Sequence, residues 1–529
     1  MSQLINSRFH WLNSDKIYPY ALAGVLVLAF SIRLIGLDKG IWIDESFTIR
    51  IISQANLWEM LQDLRKDVHS PLYYVLLYFW SKIANSEESL RLLSVLFGVG
   101  TVAVVMNWLK QYSYLASILA GVYFATAPIM LRFSQEIRGY SLLVFATALA
   151  FLFASRVIAQ PERFSGYIGL TLSLTVAIST KLIAIMLLAP ILILVVMMTA
   201  LEQKKIHWMK ISVTFILPFL VFIYFYFFYL IDFSKRSVIF WIPDFSPYLL
   251  SATLQYLLGL SSLFFYNYLN HILSFLFLAI LTIAIIFGKW QRNFPFLLVA
   301  ILFCLEITIY SIIKTPIFWY RTLLPSLIPF VAFLFLQIAT IQVKKIQVAS
   351  IILFSVFSIL VTANWVTVQA SRPVEYYKQV AQLVESEWQP NNFVFFHPRY
   401  SSETVKYYFQ KIPTEDGIVV DNSSYIDRIQ SNLEQFSAQG TANKTTVFVI
   451  VRVDLGDKHE RFTNLLSVLK SELKEGFNLK IFLVISHDLF FIKERDKPNL
   501  FLDALESEFG QPISYQDKGV YILSEYEKI

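Results

Sequence analysis

The chain has only one cysteine, Cys304, in 529 residues, and only 16% of its residues are charged. One cysteine can build neither a disulfide framework nor a thiolate metal cluster. Soluble globular proteins carry about 25% charged residues, so this composition excludes disorder and a plain cytosolic enzyme. The C-terminal tail lacks a GxGxxG or Walker-type loop, and a nucleotide-binding fold is therefore unsupported there. We find no internal repeat of the solenoid kind.

Hydrophobic sequence takes the place of the missing charge. Of all residues, 56% are hydrophobic and 16% aromatic, and the mean hydropathy is +0.57. A membrane-spanning helix needs about 20 largely apolar residues. Such runs begin near residues 18, 90, 113, 140, 165, 182, 211, 271, 294, 322 and 346. The sequence predicts a polytopic α-helical membrane protein with about 11 transmembrane helices within residues 1–370, the first a retained signal anchor.

The net charge of +6 is unevenly distributed and predicts an orientation. Residues 1–370 have a balance of +11 and residues 371–529 a balance of −5. Residues 71–84 are apolar but short, and we interpret them as an interfacial helix. The basic short loops then share one face, which the positive-inside rule assigns to the cytoplasm. The other loops and the tail are predicted to be extracytoplasmic, in a bacterial plasma membrane, and no nucleic-acid partner is indicated.

The tail, residues 371–529, is predicted to be a soluble α/β domain. Its β-rich runs lie at residues 393–396, 417–420, 446–453, 479–485 and 519–524. Helical patterns lie between them, near residues 374–388, 401–410, 424–437 and 459–474. Strand–helix alternation favours a mostly parallel sheet covered by helices.

Two adjacent carboxylates, Asp44 and Glu45, directly follow the first span in the sequence IWIDESFT. A carboxylate at this place can act as a general base toward a hydroxyl acceptor. Asp44 can equally well cap the short helix that runs toward Gln54. The residues alone leave both interpretations open.

His69 lies in the sequence DVHSPLYY, at the start of the interfacial segment. A histidine can bind a phosphate, shuttle a proton or ligate a metal together with a carboxylate. No second histidine stands at ligand spacing, so the sequence predicts no metal site. A divalent metal can be accommodated but is not indicated.

Cations stand on the predicted outer face, where the positive-inside rule disfavours them. Some of these cations and their neighbours also have simpler explanations. Glu136 and Arg138 can neutralise each other, and Arg33 can either snorkel or face inward. Tyr320, next to Arg321, fits an interfacial aromatic belt. As a group they favour a site for a lipid-linked phosphate, because arginine and lysine bind phosphate well. The group consists of Arg33, Arg138, Lys181, Lys314 and Arg321.

These motifs, in this order, resemble those of the GT-C glycosyltransferases over about the first 340 residues. The similar segments are DES, HSPLYY, SQEIRGYSL, the turn at Lys181 and YRTLLPSLIP. The most similar branch is the protein O-mannosyltransferase-like and aminoarabinose-transferase-like one. This resemblance implies transfer of a sugar from a polyprenyl-phosphate donor to an extracytoplasmic acceptor, which can be a protein, a lipid or a glycan.

The resemblance also implies roles for individual residues. Asp44, with Glu45 beside it, corresponds to the family's acceptor-activating carboxylate. The donor-phosphate residues correspond to Arg138, Tyr140, Lys181, Lys314, Tyr320 and Arg321, and accessory roles fall to Arg33, His69 and Glu136. We expect a single inverting displacement that is metal-independent or weakly metal-dependent and needs no cofactor.

Two other classes of protein fit part of the pattern. A lipid-linked sugar transporter or flippase would use a cationic path and the intramembrane Glu306, but the polar groups crowd one face and no repeated halves occur. A non-catalytic scaffold for the tail would make the acidic pair incidental.

Overall fold

The computed structural model describes the helical part of the chain almost completely and the tail in segments. The described residues are 16–65, 69–230, 242–260, 267–369, 375–389, 392–397, 401–409, 418–420, 445–453, 477–485, 502–503, 505–507, 512, 514–517 and 521–527. They form two compact units. The first unit comprises Met1–Asp38 and Thr48–Arg372, and the second comprises Lys39–Phe47 and Pro373–Ile529.

Apolar helices make up the first unit, and each predicted span coincides with one of them. Among the described residues, seven helices are long and apolar enough to cross a membrane. They are Glu87–Leu109, Tyr140–Ala159, Leu182–Leu201, Trp208–Phe228, Leu269–Phe287, Asn293–Ile313 and Lys344–Thr367. A pair of helices bent by 58°, Tyr114–Thr126 and Pro128–Ser134, passes the same test only when the two are taken together, as one broken span or a re-entrant loop. The remaining three predicted spans are shorter apolar helices, Tyr18–Leu34, Phe164–Thr180 and Leu324–Ala339, so the number of eleven stays a prediction.

The ambiguous segment after residue 70 forms a short helix, Leu72–Ser81. Ten residues of α-helix are about 15 Å long, half the thickness of a hydrocarbon core of about 30 Å. This length agrees with an interfacial helix and rules out a straight span by these residues alone.

Helices of the first unit that carry the later argument are numbered in chain order. They are α1 (Tyr18–Leu34), α2 (Ile43–Ile52), α3 (Leu57–Leu64), α4 (Leu72–Ser81), α5 (Glu87–Leu109), α6 (Tyr114–Thr126), α7 (Pro128–Ser134), α8 (Tyr140–Ala159) and α9 (Phe164–Thr180). After them come α10 (Leu188–Leu201), α11 (Trp208–Phe225), α12 (Pro247–Leu257), α13 (Asn267–Phe287), α14 (Trp290–Ile313), α15 (Leu327–Ala339) and α16 (Lys344–Asn364).

Local sequence explains where the first of these helices begin. Ser86 and Ser113 precede α5 and α6, and their side chains accept hydrogen bonds from the backbone N–H groups of Ser89 and Ala116. Serine is favoured at this position because its oxygen satisfies an N–H that has no partner inside the helix.

The break between α6 and α7 is stabilised by a buried arginine from α1. Pro128 has no N–H to donate to the Phe124 carbonyl four residues earlier, so the helix breaks there. Arg33, 1% exposed, donates to the Phe124 oxygen at 2.8 Å and to the Ala125 oxygen at 3.1 Å. Its Nε donates to Ser134 Oγ at 3.0 Å, at the end of α7. The guanidinium replaces hydrogen bonds that the bend removes from the helix.

Two further side chains cover the open end of α1, where the last carbonyls have no helical donors. The Gln135 amide donates to the carbonyls of Arg33 and Ile35, at 2.9 and 2.7 Å. Arg91 donates to the Leu37 carbonyl at 2.6 Å. Both side chains are fully buried, so the start of the first loop is fixed by hydrogen bonds inside the first unit.

The second unit contains a six-stranded sheet. Its strands are β1 (Phe393–His397), β2 (Ile418–Val420), β3 (Thr445–Val453), β4 (Phe477–Ile485), β5 (Ser514–Asp517) and β6 (Tyr521–Glu527). Their order in the sheet is β2-β1-β3-β4-β6-β5. The first four strands are parallel, and β6 and β5 are added antiparallel. The helices α17 (Tyr377–Glu387) and α18 (Ser402–Lys406) belong to the same unit.

All five predicted β-rich runs overlap strands, and β5 was not predicted. The predicted helices near residues 374–388 and 401–410 overlap α17 and α18. Those at residues 424–437 and 459–474 lie outside the described residues. The domain boundary at residue 370 stays a prediction, since the second unit also includes Lys39–Phe47.

Residues of the first loop belong to the hydrophobic core of the second unit. Trp42 and Ile43 are 3% and 4% exposed and pack with Tyr377, Phe396 and Phe448. The apolar residues before the acidic pair are therefore core residues.

We predict that Gly98→Ala destabilises the first unit. A Cβ at this position would overlap Ser134 Oγ and lie 2.9 Å from Arg33 Nε. Overpacking of this kind typically costs about 1–3 kcal/mol. Gly24→Ala is the matched control, because a Cβ there has nothing within 4 Å. Thermal unfolding in detergent should show a lower midpoint for Gly98→Ala alone, and equal midpoints would contradict the packing described here.

We also predict that Arg33 and Pro128 are energetically coupled. Arg33→Met leaves the Phe124 and Ala125 carbonyls without these donors, at a cost of about 1–3 kcal/mol for each. Pro128→Ala restores an N–H for Phe124, so it should damage the Arg33→Met protein less than the wild type. A double-mutant cycle of unfolding free energies measures this, with a coupling of about 0.5–3 kcal/mol expected. Additive effects would show that Arg33 does not replace the missing helical donor.

Candidate active site

The segment SQEIRGY, between α7 and α8, sends successive polar side chains to different partners. Ser134 accepts from Arg33, and Gln135 covers the end of α1. Glu136 and Arg138, both at least 95% buried, enter two polar clusters. Ser134 and Gln135 thus stabilise the helices around them, whereas Glu136 and Arg138 belong to buried charged clusters of the first unit.

Arg138 is held by three side chains from two other elements. Its NH1 donates to Thr48 Oγ1 of α2 at 3.0 Å and to the Tyr74 hydroxyl of α4 at 3.4 Å. Its NH2 lies 2.7 Å from His69 Nε2, just before α4. The structure therefore brings His69 and Arg138 together, as two of the residues that the sequence singled out.

The backbone of Arg138 is fixed as closely as its side chain. The Ser94 hydroxyl donates to the Arg138 carbonyl at 3.3 Å, and the Tyr73 hydroxyl lies 2.9 Å from Ser94 Oγ. A Cβ at Gly139 would lie 3.1 Å from Tyr73 Cβ and 3.0 Å from Thr180 Cγ2. Glycine therefore lets the chain pass close to α4 and α9, where a Cβ would require these neighbours to shift by a few tenths of an ångström.

Glu136 forms an ion pair with Arg132, which the sequence argument did not consider. Arg132 Nε donates to the Glu136 carboxylate at 2.9 Å, and both side chains are at least 94% buried. The two residues are four apart, at the end of α7, which is ion-pair spacing on a helix. Removing one partner of a buried pair typically costs about 3–5 kcal/mol, so this pair supports the local structure.

A second cluster surrounds Arg132 with aromatic rings and another cation. Its NH1 donates to the Tyr256 hydroxyl of α12 at 2.7 Å. The rings of Tyr256 and Tyr320 pack edge to face, with centroids 4.7 Å apart. Arg321 Nε donates to the Tyr320 hydroxyl at 3.4 Å, and Arg321 is 7% exposed. Burial raises the pKa of the Tyr256 phenol above its usual value, although the Arg132 guanidinium acts in the opposite direction.

Aromatic contacts link this cluster to two further predicted residues, Tyr140 and Lys181. Phe133 lies 4.6 Å from Tyr140 and 6.1 Å from Tyr320, between ring centroids. Lys181 Nζ lies 4.6 Å from the Tyr140 ring centroid, which is within the range of a cation–π interaction. Lys181 ends α9, as the predicted helical turn required.

Two cations that the sequence assigned to the site, Arg33 and Lys314, are not among the contacts of these two clusters. Arg33 faces inward and is bound to the α6–α7 break, which decides between the two orientations that the sequence left open. Lys314 follows α14. Its side chain is exposed and makes no ion pair with any residue in the described ranges.

The acidic pair is described within the second unit. Glu45 is fully buried, and its carboxylate accepts from the Trp42 N–H at 3.4 Å. Glu375, 1% exposed, accepts from the Ile43 N–H at 3.3 Å. Glu45 and Glu375 thus accept from N–H groups at the start of α2, and Asp44 is half-buried on its first turn.

Metal coordination has little support in the described part of the chain. Among those residues, no group of three or more His, Cys, Asp or Glu side chains could hold a metal ion. His69 is engaged with Arg138.

Several contact residues were missed by the sequence argument. Arg132 was not assigned to the site, although its spacing of four residues from Glu136 indicates the ion pair. Thr48 and Tyr74 stand inside recognised motifs without a distinguishing signal. Tyr256 lies in a long predicted loop, and no motif marks it.

Comparison with known proteins gives one family match by sequence. Residues 68–226 match the family model described as dolichyl-phosphate-mannose-protein mannosyltransferase. This range includes His69, Arg132, Glu136, Arg138 and Lys181. No curated protein matches the chain at a significant level.

Comparison of structures extends the likeness to nearly the whole chain. ArnT from Cupriavidus metallidurans in the apo state has 11% identity and a TM-score of 0.53, over 96% of this chain and 97% of that chain. The same protein bound to undecaprenyl phosphate gives 11% identity and a TM-score of 0.50, over the same shares. The S. cerevisiae protein O-mannosyltransferase Pmt1-Pmt2 complex bound to the sugar donor gives 17% identity and a TM-score of 0.33, over 47% of this chain and 37% of that chain.

The ArnT comparison shows a shared fold, and the family match covers the segment that holds most of the buried polar site. The predicted resemblance to the GT-C glycosyltransferases is therefore confirmed, and the chain is an integral membrane protein with the ArnT fold.

Proposed function

We propose that the chain is a membrane glycosyltransferase that moves a sugar from a polyprenyl-phosphate donor to an extracytoplasmic acceptor. One observation carries this proposal. Arg132, Arg138 and Arg321 are each at least 93% buried in the first unit. Each guanidinium also lies beside a tyrosine hydroxyl, those of Tyr256, Tyr74 and Tyr320. Three buried guanidinium groups of this kind offer N–H donors that suit an anionic ligand.

A lipid-linked phosphate is the anion that best fits these surroundings. The site lies among apolar helices of a membrane protein and is lined by Phe133, Tyr140, Tyr256 and Tyr320. ArnT, which shares the fold, has been crystallised with undecaprenyl phosphate. Arginine offers a planar fork of N–H donors that matches phosphate oxygens. Lys181, beside the Tyr140 ring, would add positive charge for the same group.

The proposed reaction is a single displacement at the anomeric carbon. Asp44 takes the proton of the acceptor hydroxyl while the acceptor oxygen forms its bond to that carbon. The bond from the carbon to the phosphate oxygen breaks, and the phosphate leaves with the electron pair. Arg138 and Arg321 stabilise the charge that develops there. One attack inverts the configuration, unlike the covalent two-step route of retaining glycosidases.

The two adjacent carboxylates have different tasks in this proposal. Glu45 is fully buried and accepts from the Trp42 N–H, so it fixes the start of α2. Asp44 is half-buried and can meet an acceptor. Thr48, in the first unit, accepts from Arg138 and is a contact of the proposed donor site.

We predict that Arg138→Ala abolishes donor use. The loss should be about 100-fold or more in kcat/KM, because one stabilising donor of developing charge is typically worth that much. The assay uses the full chain in nanodiscs with a panel of radiolabelled polyprenyl-phosphate hexoses and pentoses, and membrane extract as the acceptor source. Arg163→Gln, an exposed arginine before α9, is the matched control and should keep full activity.

The same assay separates the enzyme from the transporter alternative. Release of free polyprenyl phosphate, detected by mass spectrometry, shows that the sugar–phosphate bond is broken. Translocation of intact donor without this release, or full activity of the Arg138→Ala protein, would contradict the proposal.

We predict that Asp44→Asn blocks the chemical step and spares donor binding. General-base catalysis is worth about 10²–10⁴-fold, so kcat should fall by that amount at unchanged affinity for undecaprenyl phosphate. Glu45→Gln keeps an acceptor oxygen for the Trp42 N–H and should lose less than about tenfold, as expected for a group outside proton transfer. Equal losses in both variants would show that the tasks of the two carboxylates are not divided in this way.

A further inference from the structure

The contact between His69 and Arg138 defines the protonation state of the histidine. A guanidinium can only donate hydrogen bonds and stays protonated in proteins. Because Arg138 NH2 lies 2.7 Å from His69 Nε2, Nε2 must be the acceptor, and the ring proton must be on Nδ1. A proton on Nε2 would remove the acceptor and place two cations in contact.

Three side chains that contact the Arg138 guanidinium are uncharged. They are the neutral His69 imidazole at 2.7 Å, the Thr48 hydroxyl at 3.0 Å and the Tyr74 hydroxyl at 3.4 Å. Arg132, in contrast, meets the Glu136 carboxylate at 2.9 Å. Neutral acceptors fix the direction of a guanidinium without cancelling its charge, whereas a carboxylate does both.

The histidine is itself held by the elements that fix Arg138. His69 precedes α4, and its ring lies 6.1 Å from that of Tyr74. The next aromatic ring of α4, Tyr73, reaches the Arg138 carbonyl through Ser94. The start of α4 therefore reaches the Arg138 side chain directly and its backbone carbonyl through Ser94. Of the three side-chain contacts described above, that of His69 is the shortest.

We propose that His69 is a positioning residue, which aims the Arg138 guanidinium at the donor phosphate as a neutral acceptor and does not bind the phosphate as a cation. This inference rests on the proposed function, because it assigns Arg138 to the donor. It predicts that the hydrogen-bond acceptor at residue 69 matters, and that a positive charge there does not.

The test compares two substitutions of His69 in the full chain. His69→Gln places an amide oxygen near the position of Nε2 and keeps an acceptor, and His69→Phe keeps the ring shape without one. The readouts are the Kd for undecaprenyl phosphate by native mass spectrometry and kcat and KM with the labelled donor. We expect His69→Gln to stay within about threefold of wild type and His69→Phe to bind about 10- to 100-fold more weakly, as for a lost hydrogen bond to a charged group.

A double substitution separates positioning from a general structural role. If His69 acts only through Arg138, His69→Phe should weaken binding no further in the Arg138→Ala protein. A further loss of the same size would overturn the inference, as would His69→Gln binding as weakly as His69→Phe. If Arg138→Ala alone binds undecaprenyl phosphate as tightly as wild type, the proposed function fails instead.

A folding defect in the His69→Phe protein would not leave the question open. Tyr74→Phe removes another neutral acceptor and retains the ring that packs beside His69. Its contact is longer, at 3.4 Å, so we expect a weakening of only about two- to fivefold, at the low end for a hydrogen bond. The His69→Gln/Tyr74→Phe protein should bind no more weakly than Tyr74→Phe alone, because the amide keeps an acceptor at residue 69. A much weaker affinity of the double variant, or a larger loss in Tyr74→Phe than in His69→Phe, overturns the inference.

Discussion

The bend at Pro128 is the constraint on which the buried polar site depends. Without the proline, α6 and α7 could continue as one helix, and the residues after Ser134 would follow a different direction. The bend exposes carbonyls inside an apolar helix bundle, and Arg33 binds them. The Arg33 Nε bond to Ser134 also fixes the end of α7. A buried cation therefore stabilises the bend, and it fixes the point from which the segment with Glu136 and Arg138 begins.

Charge and burial divide the arginines of the first unit into groups with different tasks. Arg33 and Arg91 donate to backbone carbonyls, and Arg132 meets a carboxylate. Arg138 is directed by an imidazole and two hydroxyls. From the sequence alone, all of these arginines are cations next to apolar segments, and their partners cannot be told apart. Only the tertiary structure shows which groups each of these arginines contacts.

Much of the fold could be predicted, because apolar length and β-rich alternation are local signals. The spans, the short α4 and five strands follow from them, whereas β5 gives too short a pattern. The site was only partly predictable. The motifs located Arg138, but the pairing of Glu136 with Arg132, the contact of Arg132 with Tyr256 and the inward direction of Arg33 depend on tertiary packing. Likewise, no local signal shows that Trp42 belongs to the core of the second unit.

We have proposed that this chain breaks a sugar–phosphate bond by one direct displacement. The most direct measurement is the anomeric configuration of the product formed by the purified chain from a polyprenyl-phosphate sugar of known configuration, determined by NMR. The account predicts a glycosylated acceptor with inverted configuration and one polyprenyl phosphate released for each sugar transferred. Retained configuration, or donor that crosses the membrane with its sugar still attached, would contradict it.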